Sequence, residues 1–319
     1  AGWRDLDSPA RHALRSVDVT SEDDAWAVGN GADGAPIALR WTGTAWSAAP
    51  LPGSVATARL EAVSMVARDD GWIVGYQGGS RSARPLALHW DGAAWSEAAL
   101  PPGNGYLVAV AAVGGRDVWA VGVGAAGEAV ALHWDGAAWA AVPLPATDYL
   151  RAVGMSGPLD GWAVGEAGSI LHWDGRTWAE VESPTTLRLF AVSARSGSDA
   201  WIAAESDAIF RWGGGAWTQS AGRRDVDLAA VAFGAPDDGW AVGDGILRWD
   251  GHGWTRARER SAPRSMSGSR RRRGNEAMAR FSATVRLGKR FSSWWMNAMP
   301  ARAAAAGSFG AKGPPPRRT

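Results

Sequence analysis

The sequence predicts an all-β chain, a β-propeller of about six four-stranded blades. Three observations predict it. One unit recurs six times at offsets of 37 to 49 residues, a length that fits a propeller blade. Each copy carries three tryptophans at fixed places, which accounts for 18 of the 21 in the chain. Within a copy, short apolar alternations with a period of two are separated by Gly- and Asp-containing turns, the pattern of brief strands.

The unit reads L-x-x-V, a short loop, D-G-W-A-V-G, a variable loop, then L-H-W-D-G-x-x-W. Its clearest copy runs from Leu150 through Asp160-Gly161-Trp162-Ala163-Val164-Gly165 to Leu171-His172-Trp173-Asp174-Gly175-Arg176-Thr177-Trp178. The first tryptophan recurs as Trp26, Trp72, Trp119, Trp162, Trp201 and Trp240. The second recurs as Trp41, Trp90, Trp134, Trp173, Trp212 and Trp249, and the third as Trp46, Trp95, Trp139, Trp178, Trp217 and Trp254.

Each element follows from that pattern. Leu150 to Met155 predicts strand one. Trp162 to Gly165 predicts strand two, with Trp162 and Val164 on one face. Strand three ends at Trp173 and strand four begins at Trp178. Asp174-Gly175 between them is a tight-hairpin signal. No unit shows a 3.6-residue period, so short helices are not expected. A sheet this small cannot bury both faces alone, so neighbouring units must stack on it, and radial stacking leaves only short edges. Small Ala and Gly residues beside each large indole predict a wedge between blades. The units fall at about 9–49, 50–98, 99–142, 143–182, 183–220 and 221–255. Trp3 to Ser8 reads as a stray fourth strand that closes the ring or belongs to a seventh blade.

Composition narrows the function classes. Cysteine is absent, which excludes disulfides and thiolate metal sites. No stretch approaches the roughly 20 apolar residues of a membrane span. The net charge of +1 conceals a split. Residues 256–319 hold 16 of the 33 Lys and Arg but only two acids, Glu259 and Glu276, so residues 1–255 are strongly acidic. The tail contains Arg270 to Arg273, Ala303 to Ala306 and Pro314 to Pro316 and lacks the repeat. It is expected to be disordered. It would bring a nucleic-acid or anionic-surface partner only if it is genuine coding sequence rather than a frameshifted extension.

The D-G-W-A-V-G and W-D-G-x-x-W segments resemble bacterial propeller repeats of the BNR/Asp-box type, the sialidase superfamily, and photosystem II assembly-factor-like repeats. The resemblance covers about residues 1–255. It implies the propeller fold and an extracytoplasmic location. An Asp box reads S-x-D-x-G-x-x-W, whereas Asp91-Gly92, Asp135-Gly136, Asp174-Gly175 and Asp250-Gly251 are adjacent, and Thr42 and Gly213 replace the Asp in two units. These departures argue against carrying over any catalytic residue.

Two recurrent polar positions read as structural. Asp24, Asp70, Asp117, Asp160, Asp199 and Asp238 each precede a strand-two Trp by two residues, and a carboxylate needed in every blade is expected to be a turn former that bonds local amides. Arg40, His89, His133, His172, Arg211 and Arg248 precede the strand-three Trp. One polar contact per blade, with that Asp as partner, is favoured over a metal or anion ring, since separate blades hold the histidines beyond metal reach. No Ser-His-Asp order, P-loop or H-E-x-x-H appears, and no non-repeated Glu–Tyr or Glu–Arg cluster stands out.

The candidate site lies where the repeat varies. The separations from strand-two to strand-three Trp are 15, 18, 15, 11, 11 and 9, so the long loops belong to the first three units and share one face. Tyr76, Tyr106 and Tyr149 map to that face, accompanied by Gln77, Arg81, Arg84 and Asn104. Variable loops on a rigid scaffold are where binding residues concentrate, and tyrosine suits an interface. The expectation is a monomeric, non-enzymatic binding or scaffolding propeller with a protein or glycan ligand, without metal or cofactor. A sialidase-like glycoside hydrolase and an assembly factor for a larger complex are the alternatives.

Overall fold

The computed structural model describes residues 14–31, 33–79, 83–222 and 228–257. The proposed strand at 1–8, Arg81 and nearly all of the basic tail lie outside the described residues. The described chain forms a six-bladed propeller of four-stranded antiparallel sheets, each made of consecutive strands. Sheet one is β1 (Leu14–Ser21), β2 (Asp24–Asn30), β3 (Pro36–Trp41) and β4 (Trp46–Ala49); sheet two is β5 (Arg59–Ala67), β6 (Asp70–Gln77), β7 (Arg84–Trp90) and β8 (Trp95–Glu97). Sheet three is β9 (Gly105–Gly114), β10 (Asp117–Gly124), β11 (Ala129–Trp134) and β12 (Trp139–Val142); sheet four is β13 (Leu150–Gly157), β14 (Asp160–Gly165), β15 (Ile170–Trp173) and β16 (Trp178–Glu180). Sheet five is β17 (Leu189–Ser196), β18 (Asp199–Ala204), β19 (Ile209–Trp212) and β20 (Trp217–Ala221); sheet six is β21 (Leu228–Ala235), β22 (Asp238–Gly243), β23 (Ile246–Trp249) and β24 (Trp254–Arg256). Among the described residues the helical content is two single 3₁₀ turns, Gly53–Val55 and Glu166–Gly168. No helix there is long and apolar enough to cross a membrane.

The core lies in the seams between sheets. One buried cluster joins sheets one and two, one joins two and three, one joins three and four, and one joins four and five. A further cluster takes in sheets five, six and one, so the apolar interior continues where the last sheet meets the first.

The three indoles of each unit explain the seams. Trp26 of sheet one inserts between Trp90 and Trp95 of sheet two, with ring centroids 4.8 and 5.0 Å away. Trp72 meets Trp134 and Trp139 in the same way at 4.9 and 5.0 Å. Trp119 meets Trp173 and Trp178, Trp162 meets Trp212 and Trp217, and Trp201 meets Trp249 and Trp254. The contact with the strand-four indole is edge-to-face at every one of these seams, the arrangement that the ring quadrupole favours. The strand-three indoles have another task. Trp41, Trp90, Trp134, Trp173, Trp212 and Trp249 each donate Nε1–H to a backbone carbonyl of the hairpin joining strands one and two, at 2.9 to 3.1 Å.

The Asp-Gly pair sits in a four-residue hairpin, since Trp173 pairs with Trp178 across it. Asp174 Oδ1 accepts from the N–H of Arg176 and of Thr177, both at 2.8 Å, and Gly175 takes the left-handed φ of 90° that the turn requires. Asp91, Asp135 and Asp250 cap their hairpins identically, and these amide bonds hold all four carboxyls below the ordinary aspartate range.

Candidate functional site

Strand one of every sheet lies innermost, and its register slips at the same two places each time, one near either end; the slip near its start bears on the variable loops. The register slips between Leu14 and Ser16, between Leu60 and Ala62, and at the matching step of the other four sheets. One residue at each slip has no partner in the ladder: Arg15, Glu61, Val108, Arg151, Phe190 and Ala229. All six are half-buried beside fully or largely buried neighbours. These are β-bulges, which turn one side chain out of the alternation. Here the six unpaired residues, Arg, Glu, Val, Arg, Phe and Ala in chain order, stand at one end of the inner strands. Arg15 reaches Glu61 of the next sheet at 3.0 Å, and the Arg151 guanidinium lies 5.7 Å from the ring centre of Phe190 on the next inner strand.

Glycine on strand two makes room for the bulge. A Cβ at Gly75, Gly122 or Gly165 would lie 1.9 to 2.2 Å from the carbonyl oxygen of Arg59, Tyr106 or Tyr149. The last G of D-G-W-A-V-G is thus a close-approach glycine in these three sheets, whereas sheet five carries Ala204 at the matching ladder position. The residues after this position, Tyr76, Val123, Glu166 and, following Ala204, Glu205 among them, form a second variable set beside the first.

Two side-chain clusters result. The first spans sheets one to three. Glu61 pairs with Arg15 and lies near Arg59, yet burial outweighs both cations and pushes its carboxyl above the ordinary glutamate value. Tyr76 and Tyr106 stand edge-to-face with centroids 4.7 Å apart. Burial pushes the Tyr76 hydroxyl up, so it remains a proton donor across the neutral range. The second cluster spans sheets four and five. Arg151 donates to Glu166 and, at 2.8 Å, to the Tyr149 hydroxyl, and its guanidinium lies 5.2 Å from the Tyr149 ring centre. Arg188 continues the chain of charges, 3.9 Å from Glu166 and 3.1 Å from Glu205.

Backbone conformation marks the second cluster independently. Among the described residues, Ala167, Ser206 and Asp207 are the non-glycine residues with left-handed φ, at 49°, 59° and 54°. They directly follow Glu166 and Glu205. Such conformations cost of order 1–3 kcal/mol each and collect where a side chain must be held in place.

Of the residues picked from sequence, Tyr76 and Tyr106 come into contact. Gln77 donates to the Ser54 carbonyl at 3.0 Å, Arg84 pairs with Gln77 in the ladder, and Arg84 and Asn104 are exposed beside them. Tyr149 belongs to the Arg151 cluster instead. Arg81 lies outside the described residues. Sequence reasoning found no Glu–Tyr or Glu–Arg cluster, and the fold builds one from residues spread over sheets four and five. It also missed Arg15, Glu61, Arg151 and Phe190. The available signal was the first x of L-x-x-V, which is Arg, Glu, Val, Arg, Phe and Ala in the six units.

The opposite end of each sheet carries a repeated clamp. His89 Nε2 bonds Asp70 at 2.9 Å, and His133 and His172 bond Asp117 and Asp160 at 2.8 Å. Each imidazole lies 4.4 to 4.6 Å from the strand-two indole of its own sheet. In the other sheets arginine takes the place. Arg40 donates to Asp24 at 2.9 Å, Arg211 and Arg248 approach Asp199 and Asp238 at 3.5 Å, and all three sit 5.0 to 5.4 Å from an indole centre. The strand-two aspartates anchor a side chain over the indole, and Asp24 and Asp160 also accept from Thr20 and Ser156 across the turn that precedes them. Among the described residues no group of three or more His, Asp or Glu could hold a metal ion.

No protein-family model matches the sequence, and no curated protein matches it. Solved structures do match in shape. YCF48 bound to D1 peptide superposes with a TM-score of 0.61 at 20% identity, covering 80% of this chain and 85% of that one. YCF48 from Cyanidioschyzon merolae gives 0.61 at 19% identity, covering 81% and 88%. The SapL1 lectin in complex with alpha methyl fucoside gives 0.52 at 16% identity, covering 77% and 95%. At these identities the similarity is one of fold, and the chain shares the propeller architecture with a peptide-bound protein and with a lectin.

Proposed function

We propose that this chain is a non-enzymatic binding propeller that holds a protein or glycan ligand at the axial end carrying the six bulges. One observation carries the reading. All six inner strands break their ladder at the same step near this end, and the side chains released there are Arg15, Glu61, Val108, Arg151, Phe190 and Ala229, five residue types in six units. A purely architectural position would repeat, as the indoles, hairpin aspartates and clamps do. Tyr76, Tyr106 and Tyr149 flank that ring and supply amphipathic contact surface. The structural neighbours include a peptide-bound protein and a lectin, which agrees with a binding role.

The test is a glycan array together with a pull-down, using the full chain and the triple variant Tyr76→Ala, Tyr106→Ala, Tyr149→Ala. Loss of capture in the variant is expected. Unchanged capture would remove this face from the function, and turnover of a chromogenic glycoside would replace binding with hydrolysis.

A further inference from the structure

We infer that the axial end accepts a neutral sugar ring, a hexopyranose unit without carboxylate or ammonium; this rests on the binding reading above. The charge state of the site is the first argument. In the cluster of sheets four and five the charges balance: Arg151 has Glu166, and Arg188 has Glu166 and Glu205. A ligand carboxylate or ammonium would be desolvated against a site that is already neutral, with no counter-charge left to compensate it. A hydroxyl-rich neutral ligand meets no such penalty.

Hydrogen-bonding capacity is the second argument. A guanidinium has five N–H donors, and the Arg15 hydrogen bond uses one of them. Carboxylates retain free lone pairs, and Glu166 and Glu61 stand beside their arginines. Adjacent donors and acceptors in a fixed planar pair match vicinal hydroxyls, which donate and accept at once. The aromatic rings supply the third argument. Tyr76, Tyr106, Tyr149 and Phe190 surround the same two ion-pair clusters, each ring partly exposed. A pyranose has an apolar C–H face suited to such rings, and an amphipathic pocket with a few placed polar groups is the usual small-ligand site.

An extended peptide is less well served. Strand addition needs a free, regular edge. The outer strands are three to five residues long, and the inner edge is interrupted by the bulges.

The experiment is calorimetric titration of the full chain with methyl glycosides of neutral hexoses, a methyl glucuronide, a 2-amino sugar glycoside and short neutral oligosaccharides. Neutral glycosides are expected to bind, and the charged analogues at least about tenfold more weakly. Arg151→Leu should weaken the neutral ligands by about tenfold, and Arg151→Lys should recover only part of that loss. Should Arg151→Leu fail to fold, saturation transfer from tyrosine and phenylalanine ring protons to the sugar C–H protons in the unaltered protein decides. Equal or tighter binding of the charged analogues, an unaffected Arg151→Leu variant, or absent aromatic transfer would overturn the inference. Capture of peptides alone at this face would also overturn it while leaving the binding reading standing.

Discussion

Trp162 of the fourth sheet stands edge-on to Trp217 of the fifth, with centroids 4.9 Å apart and ring planes at 83°. Both rings are almost fully buried, and neither Nε1–H finds a hydrogen-bond acceptor. Trp26 with Trp95, Trp72 with Trp139 and Trp119 with Trp178 repeat this geometry and share the missing acceptor. An edge-to-face pair lets only the edge-on ring direct its N–H at a π surface, a contact weaker than a bond to oxygen, so the second N–H of each pair is buried without an acceptor. Trp162→Ala should therefore cost about 3–5 kcal/mol in urea unfolding, the ordinary price for a deleted large aromatic. Trp162→Phe, which keeps a ring in the seam and removes the unsatisfied N–H, should cost less than half as much. A smaller loss for the alanine variant than for the phenylalanine variant would refute the wedge.

The clamp over each strand-two indole is chemically interchangeable between sheets. His172 holds in sheet four the place that Arg40 holds in sheet one, with Asp160 and Asp24 as the matching anchors. Exchange by the natural alternative, His172→Arg, should leave unfolding free energy at neutral pH within about 1 kcal/mol of the parent. His172→Ala abandons the Asp160 bond and the ring contact and should cost about 1–2 kcal/mol.

The hairpin caps predict an acid limb. Amide bonds hold Asp91, Asp135, Asp174 and Asp250 below the ordinary value of 3.8. A lowered folded-state value means stability that is fully present above 3.8 and lost as pH falls through the lower folded value. Replacing all four with Asn keeps an amide-accepting oxygen and removes the titration. The melting temperature of that variant should fall less steeply than the parent's below pH 4 and match it at pH 7. Parallel curves would show that these caps do not drive the acid limb.

Gly165→Ala tests the bulge directly. Its Cβ would lie 2.2 Å from the Tyr149 carbonyl oxygen, so strand one must move where it carries Tyr149 and Arg151. We expect a loss of about 1–3 kcal/mol, the usual cost of overpacking, together with weakened ligand capture. Gly103→Ala has no atom within 4 Å of its Cβ and serves as the neutral control. Equal behaviour of the two variants would mean that strand one tolerates the shift.

The sheets were legible in the sequence because their determinants are local and repeated. Trp173-Asp174-Gly175 and Trp178 announce a hairpin in consecutive letters, and six copies of Asp-x-Trp announce the strand before it. The site was only half legible. Tyr76 and Tyr106 were found through loop length, and they do touch. The cluster of Tyr149, Arg151, Glu166 and Arg188 was not found, because its members come from different strands and become neighbours only when sheets four and five are side by side. Nothing in the letters around Arg151 shows a ladder slip. A bulge is a matter of pairing, and pairing is decided by the partner strand.

The small residue opposite each slip, glycine in five sheets and Ala204 in sheet five, sits at one end of its sheet, and the indoles crowd the other. Mutational robustness and ligand choice are therefore written in separate halves of the same small sheet. Six codons, for Arg15, Glu61, Val108, Arg151, Phe190 and Ala229, can be rewritten without touching the hydrophobic joints that keep the wheel intact. Natural drift or a combinatorial library could retune such a hub one spoke at a time.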